Sequence, residues 1–301
     1  MKKYIALLAV MMIIFSTSTS FAKVKVVTTL SDLNAIVKEI GGDKVDSMNL
    51  ARASDDPHQI EPKPTFLKNL SKADLLFLIG MDLEIWLQPL IDSSHNMKIQ
   101  KGQNGYVDCS TVISPKEVPT TRVTPELGDV HPLGNPHYWL DPNNAILIAE
   151  LAYNKLSVID SQNEKYYSEN LAKFKNAINE KIKVWKEKIG SVANKKIVCQ
   201  HSSWIYFTDF TGLEIVGYVE SRPGIPPTAK EIMNTTNMMN DKDCKCIICE
   251  SYQNKKYPNM IASKIQGKVI SLPASTGAVK GTDSYIAFID YLINKLAEEL
   301  K

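Results

Sequence analysis

The chain has 301 residues, of which 44% are hydrophobic and 23% charged, and a formal net charge of +2. That length allows two domains of ordinary size, each able to bury a core. A charge so near zero excludes the electrostatic footprint of a nucleic-acid groove or a polybasic membrane-surface protein.

An export signal opens the chain. Lys2 and Lys3 precede a mainly apolar run from Tyr4 to Phe15, and Ser20-Phe21-Ala22 offers a small-x-small cleavage site. The run breaks at Ser16-Thr17-Ser18-Thr19-Ser20, short of the roughly 20 apolar residues that span a bilayer. Residues 1–22 are therefore expected to be a cleaved signal peptide, with a periplasmic protein starting at Lys23. No cysteine lies near the cleavage point, which argues against a lipid anchor.

Beyond the signal, strand and helix patterns alternate. Lys23 to Leu30 is rich in β-branched residues and reads as a strand, with Ser31-Asp32 as the cap of a helix over Leu33–Ile40 that stops at Gly41-Gly42. Val45–Leu50 reads as a second strand leading into an Asp-rich turn. A short helix over Pro64–Leu70, a fully covered strand over Ala73–Ile79, a helix over Glu84–Ile91 and a strand over Tyr106–Val112 follow. Residues 115–136 form a long proline-rich loop, and loops of that length are usually functional or mobile. Asp141-Pro142-Asn143 then starts a helix reaching about Val158.

From Glu164 to Ile189, Leu171, Phe174, Ile178, Ile182, Trp185 and Ile189 recur at steps of three or four, with lysines and glutamates between them. Such a helix is a rod of roughly 39 Å, about a domain's diameter. Alternation resumes beyond it, with strands expected at Lys196–Cys199, Glu214–Val219, Cys246–Glu250 and Lys268–Leu272. Helices are expected at Trp204–Phe210, Thr228–Met239, Pro258–Ile265 and Tyr285–Leu300. The pattern predicts an α/β protein of two lobes, each a parallel sheet flanked by helices. The N-terminal lobe covers 23–163, a single long helix (164–190) joins it to the next, and the C-terminal lobe covers 191–301. Ligands of such sheets bind in the crevice at the carboxyl ends of the strands.

Three histidines fall at that crevice. His58 follows Asp56-Pro57, His137 follows Asn135-Pro136, and His201 follows the apolar strand ending at Cys199. A neutral imidazole offers a metal one nitrogen, and three from separate segments close a site only if the fold gathers them. His131, in the long loop, is a weaker candidate that a solvent-exposed position explains better. Glu250 ends a cleft-side strand, where a carboxylate can ligate a metal or hold a ligand in place. His95 reads as a surface turn residue, and Arg222 as a partner for Glu220 or a ligand carboxylate. Trp139, Trp204 and Tyr206 are expected to pack around the site.

The five cysteines leave at least one thiol unpaired or paired between molecules. Cys244, Cys246 and Cys249 have metal-like spacing but lie on a buried strand, where cysteine acts as a small hydrophobe or disulfide partner. Cys109 and Cys199 are isolated. Phosphate loops, Gly-x-Ser-x-Gly elbows and His-Glu-x-x-His motifs do not occur.

The flanking residues carry a resemblance. Asp56-Pro57-His58 with Glu61-Pro62-Lys63-Pro64, and Asn135-Pro136-His137-Tyr138-Trp139-Leu140-Asp141-Pro142, resemble motifs of the zinc/manganese-specific periplasmic substrate-binding proteins of bacterial ABC importers. His201 before Trp204-Ile205-Tyr206-Phe207, and Gly281-Thr282-Asp283-Ser284-Tyr285, extend that likeness across the chain beyond the signal. The resemblance implies a receptor that captures a divalent metal and hands it to a membrane permease, with His58, His137, His201 and Asp283 as ligands. It also implies that a histidine at position 201, where manganese sites more often carry glutamate, favours Zn²⁺ over Mn²⁺. One departure is that the loop before His137 holds a single histidine, whereas zinc importers often carry a histidine-rich one. A monomer is expected, and the long helix should limit lobe movement on release. The rival readings are a secreted zinc hydrolase using the same three histidines with Glu250 as general base, and a surface adhesin of the same fold.

Overall fold

The computed structural model describes residues 22–301, so the expected signal segment lies outside the described residues except for Ala22. The N-terminal lobe contains β1 (Val24–Thr28), α1 (Ser31–Gly41), β2 (Val45–Asn49), α2 (Pro64–Leu70), β3 (Leu75–Leu78), α3 (Gln88–Ser93), β4 (Tyr106–Asp108) and α4 (Pro142–Ile159). The long helix α5 runs from Glu164 to Gly190. The C-terminal lobe contains β5 (Lys196–Cys199), α6 (Ile205–Thr211), β6 (Glu214–Tyr218), α7 (Ala229–Asp241), β7 (Cys246–Glu250), α8 (Lys256–Ile265), β8 (Lys268–Leu272) and α9 (Tyr285–Glu299).

Each lobe holds a four-stranded parallel sheet, ordered β2-β1-β3-β4 in the first and β6-β5-β7-β8 in the second. The same order occurs twice without a sequence repeat. β3 and β7 are buried throughout, as near-continuous apolar runs in a sheet covered on both faces should be. Strand order reverses between β1 and β3 and between β5 and β7, so loops leaving these strands flank the crevice.

Local polar chemistry corrects several expected boundaries. Asp32 does not cap α1, whose N-cap is Leu30 with no side-chain bond. Its carboxylate instead reaches the other lobe and accepts the Thr276 N–H and hydroxyl, both at 2.8 Å. The helix expected from Glu84 starts at Gln88, because Glu84 closes the preceding turn. Its carboxylate accepts the Thr29 hydroxyl at 2.6 Å and the N–H groups of Ile79 and Gly80 at 2.7 and 2.9 Å. The strand expected to reach Val112 stops at Asp108. There the Asp108 side chain accepts from Ser110 N–H and hydroxyl at 2.9 and 2.6 Å and turns the chain into a 3₁₀ segment.

One apolar core runs through both lobes. It includes Phe77 and Trp139 from the first, Phe174 and Trp185 from α5, and Trp204, Phe207, Tyr285 and Phe288 from the second. A smaller cluster lies on the far side of the second sheet, around Val198, Ile232, Ile247 and Ile261. The long helix braces this arrangement by packing on α1, α4, α6 and α9. Trp185 Nε1 and Lys181 Nζ both donate to Asp290 of α9, each at 2.7 Å. Trp139 Nε1 donates to Ala274 O at 3.0 Å, and the Tyr285 hydroxyl donates to Trp139 O at 2.6 Å, which fixes the two lobes at their seam. All five cysteines are buried free thiols.

Asp32 makes this seam sensitive to pH. Burial raises its carboxyl from 3.8 to about 6, against the pull of the Thr276 bonds. A carboxyl raised in the folded state penalises folding fully above its folded pKa, and the penalty vanishes below the unfolded value. The difference of about two units corresponds to about 3 kcal/mol at pH 8. Asp32→Asn, whose side-chain oxygen can still accept both Thr276 bonds, should raise metal-free stability at pH 8 by about 1–3 kcal/mol and leave it nearly unchanged at pH 4. Denaturant unfolding at the two pH values checks this, and equal effects at both would refute it.

Candidate metal centre

Two of the histidines are aimed by the same local device. In Asp56-Pro57-His58, Asp56 Oδ1 accepts the His58 backbone N–H at 3.0 Å and lies 3.0 Å from His58 Nδ1. In Asn135-Pro136-His137, Asn135 Oδ1 accepts the His137 N–H at 3.0 Å and lies 2.8 Å from His137 Nδ1. An Asx side chain two residues ahead thus holds both backbone and ring, and proline restricts the link between them. The Asn135 amide nitrogen donates to Glu117 Oε2 at 2.8 Å and Ser202 O at 2.5 Å, which fixes its oxygen toward the histidine. That oxygen only accepts, so His137 Nδ1 carries the proton and Nε2 carries the free lone pair.

His201 is held by a residue distant in sequence. Glu220 Oε2 lies 3.1 Å from its Nδ1 and accepts the Gly224 N–H at 2.9 Å. His131 lies beside the backbone of Met81 and Asp82, which adopt positive φ beyond β3 and raise its pKa against burial. The result is uniform. Nε2 of His58, His131, His137 and His201 is in each case buried and without a hydrogen-bond partner.

The ligand atoms of His58, His137 and His201 lie within 4.8 Å of one another. Their ring centroids are 5.2 Å apart for His58–His137, 5.3 Å for His58–His201 and 5.8 Å for His137–His201. The His131 ring is also 5.3 Å from that of His58. A solvent-open cleft of about 780 Å³ reaches His58 and His201, and a smaller cavity of about 170 Å³ is lined by His131 and His137. In the larger cleft Asp55, Asp56, Glu61, Asp129 and Glu220 outnumber Arg52, Lys63 and Lys256, a lining that draws cations inward.

Burial, reinforced by the neighbouring His58 and His201, lowers His137 well below 6.5 and His131 to about 4. His201 behaves oppositely. Burial would lower it, but the Glu220 bond and the nearby Glu250 carboxylate raise it above 6.5. Glu250, at the end of β7, is fully buried with neither carboxylate oxygen hydrogen-bonded, and burial raises its carboxyl against the attraction of His201.

Like His131, Asp283 is outside the group of ligand atoms that lie within 4.8 Å of one another. It is exposed, and it follows a turn closed on itself, in which Gly277 N–H donates to Thr282 O at 2.7 Å and the Thr282 hydroxyl donates to Val279 O at 2.7 Å. Thr276, at the base of this turn, is the residue tied to Asp32. His95 is exposed in a positive-φ turn. Glu220 holds His201 rather than pairing with Arg222, a role that no local sequence signal announced. Trp139, Trp204 and Tyr206 are buried as expected, with the Trp139 ring tilted at 49° to that of His137 and the centroids 5.3 Å apart.

The family described as "Zinc-uptake complex component A periplasmic" matches residues 26–299. The chain belongs to this family. It is a substrate-binding protein of a metal ABC importer and not an enzyme. The manganese ABC transporter substrate-binding lipoprotein PsaA of Streptococcus pneumoniae is 28% identical over 293 residues, covering 94% of this chain and 91% of its own. The metal ABC transporter substrate-binding lipoprotein SloC of Streptococcus mutans is 28% identical over 295 residues, covering 95% and 92%. The crystal structure of ZnuA shares the fold with a TM-score of 0.77 at 21% identity, over 93% of this chain and 100% of its own. Both curated relatives are lipoproteins by name, so the absence of a cysteine near residue 22 does not carry the conclusion drawn from it. Among the described residues no helix is long and apolar enough to cross a membrane.

Metal and protons compete for imidazole nitrogen. Burial lowers His137 and His131, whereas Glu220 and Glu250 raise His201, so His201 keeps its proton to higher pH than they do. Metal affinity should therefore rise about tenfold per pH unit up to neutrality. Glu220→Gln, which removes the group raising His201, should flatten that slope near pH 7. It should also cost about 10–100-fold in affinity through loss of ring orientation. Chelator-competition titrations from pH 5.5 to 8 measure both effects, and an unchanged slope in the variant would contradict the assignment.

Proposed function

We propose that the chain is an exported, periplasmic receptor that captures Zn²⁺ between its lobes through His58, His137 and His201 and delivers it to the permease of an ABC importer. The observation that supports this reading is the triad itself: three ligand atoms within 4.8 Å, each Nε2 left without a partner by a bond on the opposite nitrogen. Such a triad suits four-coordinate zinc, which accepts nitrogen donors at about 2.0–2.1 Å. Mn²⁺ prefers carboxylate, carbonyl and water oxygens, and lies below zinc in affinity for most such sites. The relatives named for manganese make Mn²⁺ the competitor to test.

In this reading residues 1–22 are the export signal, residues 23–163 and 191–301 are the lobes, and 164–190 join them. The receptor works as a monomer. A core continuous through both lobes supports a small movement on metal release rather than wide closure.

The test is metal analysis of protein purified without added metal, followed by competition between Zn²⁺ and Mn²⁺ at fixed pH. About one zinc per chain is expected, with Zn²⁺ displacing Mn²⁺ at equal concentration. His137→Ala should abolish tight binding of either ion. Protein that binds neither ion, or prefers Mn²⁺, overturns the zinc reading.

A further inference from the structure

His58, His137 and His201 supply three donors, so an ion held by them keeps a position for a ligand from outside. That position has one wide approach. On one side the 115–136 loop is strapped across both lobes. Asp129 N–H donates to Pro223 O at 2.8 Å, and the Tyr206 hydroxyl accepts from Lys116 N–H at 2.9 Å and donates to Asn135 O at 3.0 Å. The cavity on that side holds only about 170 Å³. On the other, the open cleft over His58 and His201 holds about 780 Å³. A hydrated ion needs a small part of that space, whereas pockets of about 300–1,000 Å³ accept small organic molecules.

The lining suits a ligand that carries both a donor and an anionic acceptor. Of the cleft acids, Asp56 and Glu220 are committed to His58 and His201, and Asp55 is paired with Arg52. Lys63 and Lys256 lie over the Phe66 and Tyr257 rings rather than against a carboxylate. Gln200 is nearly buried, and its amide nitrogen donates to Glu220 Oε1 and Asn254 O at 3.4 and 3.3 Å. Its Oε1 is left without a partner, an acceptor in want of an N–H group. Burial, and then the surrounding carboxylates, raise the Tyr252 phenol, which therefore stays an O–H donor within the cleft.

We propose that this cleft is a co-ligand site, and that the receptor captures its metal as a complex with one small α-amino carboxylate. This rests on the zinc-capture reading and names the form in which the metal arrives. An amino acid chelates through its amine nitrogen and one carboxylate oxygen, and zinc accommodates five donors as well as four. The coordinated amine keeps N–H groups for Gln200 Oε1, while the outer carboxylate oxygen accepts from Tyr252. Charge selects the class. One Zn²⁺ with one amino-acid anion carries a single positive charge and suits a lining in which acids outnumber bases. A zinc complex of a tricarboxylate is anionic and is disfavoured there.

Equilibrium dialysis of the full chain against isotopically labelled glycine, the smallest such chelator, tests this. Glycine should be retained in equal amount with zinc when zinc is present, and not at all without it; labelled citrate should not be retained. At buffered free zinc, glycine at ten times its dissociation constant should raise zinc affinity about tenfold. X-ray absorption should show the coordination number rising from four to five on adding glycine. Tyr252→Phe and Gln200→Leu should each weaken glycine retention about tenfold, the worth of one hydrogen bond. Bound zinc with no retained glycine overturns the inference and leaves the capture reading standing. Glycine retained without zinc, or retained equally by both variants and wild type, also overturns it. Wild-type protein that holds no zinc overturns both.

Discussion

The site depends on one arrangement repeated three times: a hydrogen bond to the outer nitrogen of an imidazole, leaving the inner nitrogen bare. Asp56, Asn135 and Glu220 serve this purpose for His58, His137 and His201. A buried lone pair without a partner destabilises the metal-free protein, because burial removes water without replacing its hydrogen bond. The fold tolerates three of them because the surrounding core and the outer bonds leave the rings little room to turn. The same constraint makes the site receptive, since a cation entering the cleft finds its donors already aimed.

The two-lobed frame explains how donors from distant segments meet. His58 and His137 belong to the first lobe, while His201 follows β5 and Glu250 ends β7, on either side of the point where the second sheet reverses its strand order. On the first sheet, Glu84 ties the ends of β1 and β3 together and shapes the turn that follows β3. The long helix, the Trp139 seam and the Asp32–Thr276 bond then hold the lobes in register. A receptor that must release its cargo needs some motion, and here the strap over residues 115–136 rests on a few hydrogen bonds whereas the lobes share an apolar core. The strap is the less costly element to move.

Protonation adds a second level of control. His137 and His131 are kept neutral by burial, so they offer nitrogen to a metal without first losing a proton. His201, drawn upward by Glu220 and Glu250, holds its proton to higher pH than those two and so couples metal binding to pH.

The strands were legible in sequence because fully covered parallel strands are short apolar runs between turn residues, and those at Lys196–Cys199, Cys246–Glu250 and Lys268–Leu272 stand where their pattern placed them. The 3.6-residue period of the long helix was equally plain. Boundaries failed where a polar side chain served a distant partner, as with Asp32 and Glu84, since a cap and a long-range acceptor look identical in sequence. Among the site residues, His58, His137 and His201 were readable from position, and the Asx-Pro-His tripeptides encode their own ring-holding bonds within three residues. Glu220 could not be read, because its partner lies on another segment. That His131 is half-buried beside His58 while Asp283 is exposed was likewise decided only by the fold. Local hydrogen bonding and hydrophobic period are properties of sequence, whereas which lone pairs share one buried space depends on how two sheets and a strap close around it.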